Sequence, residues 1–185
     1  MLARRGGRLL VYDDARNPKD LDELLPRSAG GTGRGQVLVT SRNEQAIRPG
    51  SDEVHFTVYD LDDLAPVGTA LLVRVNHHAG AAEFGITIGD RRNQGLGTEA
   101  TRLVLDWAFT VMGLHNVMLV TFSWNLPAIR AYTKAGFQEI GRRRGAVVTM
   151  GQRYDQVLMD AVAEEFSESV LARHAPSQDW PPGRP

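Results

Sequence analysis

The segment Arg92-Asn93-Gln94-Gly95-Leu96-Gly97, followed at once by a helical pattern, constrains this chain more than any other. Two glycines one residue apart at the mouth of a helix bring several backbone N–H groups to one point. The first turn of a helix carries N–H groups without intrahelical partners, and the helix dipole places partial positive charge there. Glycine permits positive φ and lets a ligand approach the backbone closely. Arg91 and Arg92 add formal positive charge beside the loop. The combination is an anion cradle of the kind that suits phosphate.

The elements around it are legible from residue 54 onward. Val54–Tyr59, Gly68–Val75 and Ala81–Ile88 read as strands joined by the turn at Asp60-Leu61-Asp62-Asp63 and the tight connection Asn76–Gly80. Connections this short make them an antiparallel meander. The helix after the cradle is expected over Thr98–Met112, with Ala100, Leu103, Val104, Trp107, Ala108 and Val111 on one apolar face. Glu99 suits the positive end of its dipole, and Gly113 is a C-terminal stop. Asn116–Ser123 is nearly continuous and apolar, as a central strand is. Asn125 is a good N-cap, Pro127 fits a first helical turn, and this second helix runs to about Ala135 before Gly136. Phe137–Arg144 and Tyr154–Val162 read as two closing strands, with their turn near Met150-Gly151. The predicted fold class is α+β: a mixed sheet in which an antiparallel meander is followed by β-α-β-α and a closing β-hairpin, with one right-handed crossover through the helix after the cradle.

Residues 1–53 carry weaker signals. Leu9–Tyr12 fits a short strand, and Leu21–Leu25 fits one or two helical turns stopped by Pro26. Gly30–Gly35 reads as flexible and lacks the Gly-Lys-Ser/Thr ending of a P-loop, while Val37–Thr40 fits either a strand or a helical continuation. The expected organisation is an N-terminal segment over 1–53, a core over 54–166 and a Pro-rich tail over 174–185. A net charge of −1 gives no basic excess for nucleic acid or an anionic membrane. No apolar run approaches the ~20 residues that span a bilayer. No apolar stretch follows Arg4, Arg5 and Arg8, so a secretory signal is not expected. The absence of cysteine rules out a disulfide framework, a thiolate metal site and a cysteine nucleophile, and fits a reducing, cytoplasmic setting. His77 and His78 sit in a turn with no third ligand nearby, which reads as a solvated loop, so no metal is expected. Asp60, Asp62 and Asp63 likewise read as a solvated turn.

Gly95–Ala100 also fits the dinucleotide fingerprint G-x-G-x-x-A. Three features oppose that reading. The loop from Gly89 to Gln94 is too long, the preceding strands form a meander, and the strand that should end in an acid ends in Ser123-Trp124-Asn125. A second constellation favours another ligand. Asn125 and Tyr132 lie two helical turns apart on one face, just past the end of the central strand. The cradle begins at the end of the neighbouring strand, and crevices between such strands are favoured ligand sites.

With both constellations in view, residues from about 54 to 166 resemble the GNAT N-acetyltransferase superfamily. Arg92–Gly97 stands where that family has R/Q-x-x-G-x-G/A, and Asn125–Phe137 matches its Asn-…-AIRAY-…-KAGF segment. Ala82–Ile86, the Gly-Thr-Glu-Ala run from Gly97 and the Tyr154–Met159 strand are similar to the branch of RimJ/RimL-type ribosomal-protein N-terminal acetyltransferases, to which spermidine acetyltransferases are close. The resemblance implies acetyl-CoA as cosubstrate and an amine acceptor, either a protein N-terminus or a small molecule such as a polyamine. It implies that Arg92, Asn93, Gln94, Gly95, Leu96, Gly97 and Thr98 hold the CoA pyrophosphate. Backbone groups of Ile86, Thr87 and Ile88 would pair with the pantetheine arm, Asn125 would hydrogen-bond it, and Tyr132 would protonate the leaving sulfur. Glu83 is the candidate base for the acceptor amine. The strand and two helices that open members of this branch are not evident in residues 1–53. The alternative expectation is therefore an acyl-CoA-binding chain without turnover. The closing strands leave an edge that can pair with a second copy in a dimer.

Overall fold

The computed structural model describes residues 10–13, 37–41, 53–60, 63, 65–89 and 91–166. The expected helical turns at Leu21–Leu25, the Gly30–Gly35 segment and the tail from residue 174 lie outside them. Eight strands form one sheet: β1 (Leu10–Asp13), β2 (Val37–Ser41), β3 (Glu53–Asp60), β4 (Pro66–Asn76), β5 (Ala81–Ile88), β6 (Asn116–Phe122), β7 (Gln138–Thr149) and β8 (Gln152–Val162). Their order across the sheet is β1-β2-β3-β4-β5-β6-β8-β7. Helix α1 (Leu96–Thr110) joins the parallel neighbours β5 and β6, and α2 (Leu126–Ala135) follows β6. The ambiguous Val37–Thr40 segment is a strand, antiparallel to β3 and parallel to β1, so residues 10–13 and 37–41 belong to the same sheet as the rest.

The meander β3-β4-β5 is antiparallel, from Val37↔Asp60 at its outer side to Gly68↔Ile88 at its inner side, with register slips at Val58/Tyr59 and at Val73/Asn76. Alternation puts Val54, Phe56, Ala70, Leu72, Ala82 and Phe84 on the buried face. Helix α1 covers that face with Leu103, Val104, Leu105, Trp107 and Ala108, and the ring of Trp107 meets Phe56 edge-on at 5.3 Å. Two expectations about α1 are corrected. It starts two residues early, at Leu96, and stops at Thr110 rather than Met112. Val111 therefore falls beyond the helix and is exposed. Gly113 has φ 66, and the N–H of Leu114 turns back to the carbonyl of Ala108.

Helix α2 follows the sequence closely. Asn125 caps it through Ala128 N–H, and Gly136 ends it in a left-handed conformation. The Phe137 N–H reaches back to the Tyr132 carbonyl at 3.0 Å, which turns Phe137 into the core. The closing hairpin is longer than expected, since β7 continues to Thr149 rather than stopping at Arg144. Its turn is at Met150 and Gly151, both with positive φ, as a two-residue primed turn needs. Register slips at Glu139/Gly141 and Arg143/Val147 let this strand continue past the end of β6.

Gly68 holds β4 and β5 together at their inner end. A Cβ at Gly68 would lie 2.3 Å from the carbonyl oxygen of Thr87, backbone that cannot give way. At Gly141 a Cβ meets nothing within 4 Å. Gly68→Ala is expected to lower stability by about 1–3 kcal/mol, while Gly141→Ala leaves it within about 0.5 kcal/mol. Urea midpoints of the two variants check the contrast.

Candidate functional site

β5 and β6 are bonded only over Ala81–Glu83 and Asn116–Met118. Beyond that point β5 stays paired with β4 as far as Ile88, and β6 stays paired with β8 as far as Phe122. The two strands therefore part at Glu83 and Met118 and leave a wedge. Among the described residues, the β6-facing edge of β5 from Phe84 to Ile88, which contains Ile86, Thr87 and Ile88, has no strand beside it. Backbone groups on such an edge are free to pair with an extended ligand.

The cradle stands at the open end of the wedge. Arg91, Asn93 and Gly95 have φ of 55, 65 and 90, alternating with residues of ordinary φ. Such alternation turns successive N–H groups to one side as an anion-binding nest. A left-handed conformation costs about 1–2 kcal/mol at a non-glycine residue, so Arg91 and Asn93 are held there by their surroundings. Among the described residues, the amides of Asn93, Gln94, Gly95, Leu96 and Gly97 donate to nothing. The Thr98 amide is used: it donates to the Gly95 carbonyl at 3.0 Å, which leaves Thr98 its hydroxyl. Leu96 has its side chain in the core, so it offers only backbone. Gln94 is exposed, and Arg92 is exposed with its Nε donating to the Ile88 carbonyl at 3.2 Å.

Arg91 behaves differently from the reading of its charge as anion-facing. Its Nη1 donates to Asp60 at 2.5 Å and to Asp63 at 3.0 Å, and its Nη2 also binds Asp63. Asp60 is buried rather than part of a solvated turn. The hydrogen bonds with Asp63 and then Asp60 hold the Arg91 guanidinium more firmly protonated than usual, and the Arg91 hydrogen bond holds the Asp63 carboxyl below the ordinary carboxylate range.

On the other wall, α2 brings Tyr132 over the start of the wedge. Its ring sits edge-on to Phe84, the first β5 residue past the fork, at 6.4 Å, and to Phe137 at 6.0 Å. The Tyr132 hydroxyl has no hydrogen-bond partner among the described residues. Burial pushes the phenol above its usual value near 10, so the side chain stays protonated well into the alkaline range. Asn125 sits one strand-end away, its Oδ1 accepting from Ala128 at 3.4 Å. Glu83 lies at the fork itself, on the sheet face opposite α1 and α2. Its carboxylate pairs with Arg74, an exposed residue held at φ 52 where β4 slips register.

The structure thus brings together the cradle, the open edge of β5, Asn125 and Tyr132, and places Glu83 at the vertex on the other face. Three features were not read from the sequence. Arg102 of α1 forks onto the Lys134 carbonyl of α2 at 2.6 and 3.1 Å. Arg91 reaches back to β3 and its turn. Trp124 is half exposed and stacks on Phe122 at 5.8 Å beside the end of β6. No local pattern marks the arginine pairs, because their partners are about thirty residues distant. His77 and His78 are exposed in the β4–β5 turn, and no cluster of metal-ligating side chains occurs among the described residues. No described helix is long and apolar enough to cross a membrane.

Comparison with known proteins identifies the family. Residues 34–138 match the family model of the acetyltransferase (GNAT) domain. Spermidine N(1)-acetyltransferase of Escherichia coli K12 is 33% identical over 108 residues, 58% of this chain and 56% of that protein. A probable N-acetyltransferase of Bacillus subtilis 168, YjcK, is 33% identical over 102 residues, 54% of this chain and 56% of that one. The chain thus spans little more than half the length of the curated relatives it matches. The crystal structure of spermidine N-acetyltransferase from Vibrio cholerae in complex with CoA and spermine superposes with a TM-score of 0.60 at 25% identity, covering 64% of this chain and 70% of that one. The forked sheet, the glycine cradle at the start of α1 and a family match over more than half of its length place this chain in the GNAT acetyltransferase family.

Proposed function

We propose that the protein transfers an acetyl group from acetyl-CoA directly to a primary amine. The observation that carries the reading is the wedge itself: among the described residues, a β5 edge with no strand beside it leads from a nest of amides that donate to nothing to a half-buried tyrosine whose hydroxyl has no partner. Family membership supports it.

The residues divide the work as follows. The amides of Asn93 to Gly97, with the guanidinium of Arg92 and the hydroxyl of Thr98, bind the pyrophosphate. Backbone groups of Ile86, Thr87 and Ile88 pair with the pantetheine arm in the manner of an added strand, and Asn125 hydrogen-bonds it. A backbone N–H of β5 polarises the acyl oxygen. Acetyl-CoA supplies the acyl carbon and a thiolate leaving group. Tyr132, kept protonated by burial, donates its proton toward that sulfur. An alkyl amine is mostly protonated at neutral pH, and Glu83 accepts its proton directly or through water. The exposed Arg74 side chain shares the Glu83 carboxylate and is free to move aside.

The acceptor proposed is a small amine of the polyamine kind. The support is the set of spermidine acetyltransferases among the relatives and the half-exposed Phe122–Trp124 stack, since aromatic faces attract ammonium groups. Protein α-amines are the competing acceptors in a turnover panel.

Calorimetry with acetyl-CoA, NADH and ATP is expected to show binding of acetyl-CoA alone. Thiol release with an amine panel then separates an enzyme from a chain that only binds acyl-CoA. Tyr132→Phe is expected to lower kcat by roughly a hundredfold, the low end for a lost general acid because a thiolate leaves readily, with the Kd for acetyl-CoA unchanged. An unaltered kcat removes Tyr132 from the chemistry. The pH dependence follows from the direction of the Tyr132 shift. Activity needs the neutral phenol, burial raises its pKa, and so the alkaline limb of kcat lies above pH ~10. A limb at or below the ordinary phenol value would show that Tyr132 is not the acid.

A further inference from the structure

The loop that carries the cradle leaves β5 at Ile88 and enters α1 at Leu96, and it is tethered at both ends. Gly89 N–H bonds to the Val67 carbonyl at 2.9 Å, and Thr98 and Glu99 close onto the Gly95 carbonyl. Between these points the described tethers are side-chain ones. Arg92 binds back to the Ile88 carbonyl, and Arg91 binds two carboxylates, Asp60 at the end of β3 and Asp63 in the β3–β4 connection. Those carboxylates are themselves fixed. Asp63 accepts the Ala65 N–H at 3.1 Å, and the Asp60 N–H donates to the Ala65 carbonyl at 3.0 Å. Asp60 is buried at the end of β3. Arg91 thus ties the loop to the buried end of β3, at the residue where the alternating left-handed pattern of the nest begins.

We propose that Arg91 is the positioning residue of the anion cradle: its fork onto Asp60 and Asp63 holds the loop in the nest conformation before any ligand arrives, and it does not itself bind the phosphate. A guanidinium already shared by two carboxylates has little charge left to offer an anion, whereas its planar fork fixes direction as well as distance. Lysine, a point charge on a flexible stem, cannot reproduce that geometry. The inference rests on the reading of the loop as the pyrophosphate site. Preorganised amides bind an anion more tightly than amides that must first be ordered.

The test uses the full chain. Hydrogen–deuterium exchange of the ligand-free protein is measured for the peptide covering residues 89–97, together with the Kd for CoA and the kinetics with acetyl-CoA. In Arg91→Gln the loop amides are expected to exchange faster while the core strands are unchanged. The Kd for CoA is expected to rise about tenfold, the scale at which supporting residues affect a site. The loss falls on KM for acetyl-CoA rather than on kcat. Arg91→Lys is expected to recover only part of the loss. Asp63→Asn, which can still accept from Ala65 but lacks the charge, is expected to show the same effect in smaller measure and guards against a variant that fails to fold.

Unchanged loop exchange in Arg91→Gln would overturn the latch. Faster exchange with an unaltered Kd for CoA would overturn its role in positioning. Full recovery by lysine would show that charge alone matters and would overturn the geometric argument. Failure of the unmutated chain to bind CoA is a different result: it overturns the functional reading and the positioning role with it, and the exchange data still report on the latch.

Discussion

Parallel strands β5 and β6 share a ladder only as far as Glu83 and Met118. Each is then committed elsewhere, β5 to β4 and β6 to β8, so neither can bend to meet the other without breaking an antiparallel ladder. On the helix side, the Tyr132 ring meets Phe84 and Phe137 edge-on, and those two rings lie tilted against each other at 5.9 Å. A sheet normally satisfies its backbone within itself. Here the fold withholds that satisfaction over one stretch of one strand, and the candidate chemistry is arranged around the withheld groups. Gly68 matters for the same reason, since it lets β4 draw close to Thr87 and Ile88 on the paired side of β5.

The two walls of the wedge come from different helices, and their relation is fixed by few contacts. Arg102 on α1 grips the Lys134 carbonyl near the end of α2. The Phe137 N–H grips the Tyr132 carbonyl one turn earlier. The cradle at the start of α1 and the tyrosine near the end of α2 are thereby held in one frame. An ion pair on an exposed surface contributes little stability. A fork onto a helix-terminal carbonyl fixes orientation, and in a site of this kind orientation is the quantity that matters.

Much of this was legible in the sequence where the governing physics is local. Ala81–Ile88 alternates, Asn125 caps and Gly136 breaks, and the structure follows each of these signals. The family resemblance came from two motifs in the right order. The start of α1 was read two residues late, because Gly95 and Gly97 look like loop while Leu96 between them is already buried as helix. The length of β7 was hidden by its arginines and by Gly145, which is accommodated at a register slip and bonded to Asp155. The fork itself leaves no mark in either strand, since it is a matter of which ladder stops where. Arg91 was misread for a related reason. Its charge is visible in the sequence, but the carboxylates that take up that charge belong to another turn, brought near only by the meander.

An unpaired strand edge is ordinarily a hazard, because another chain can add to it and begin a growing sheet. The open length of β5 is not exposed in that way. It faces the inside of the sheet, with β6 diverging on one side and the Tyr132 ring over its start. A strand of another chain would have to enter between two elements of one sheet, rather than add to an outer edge. The same divergence that exposes the backbone therefore also shields it, since the open groups lie within the sheet and not at its rim.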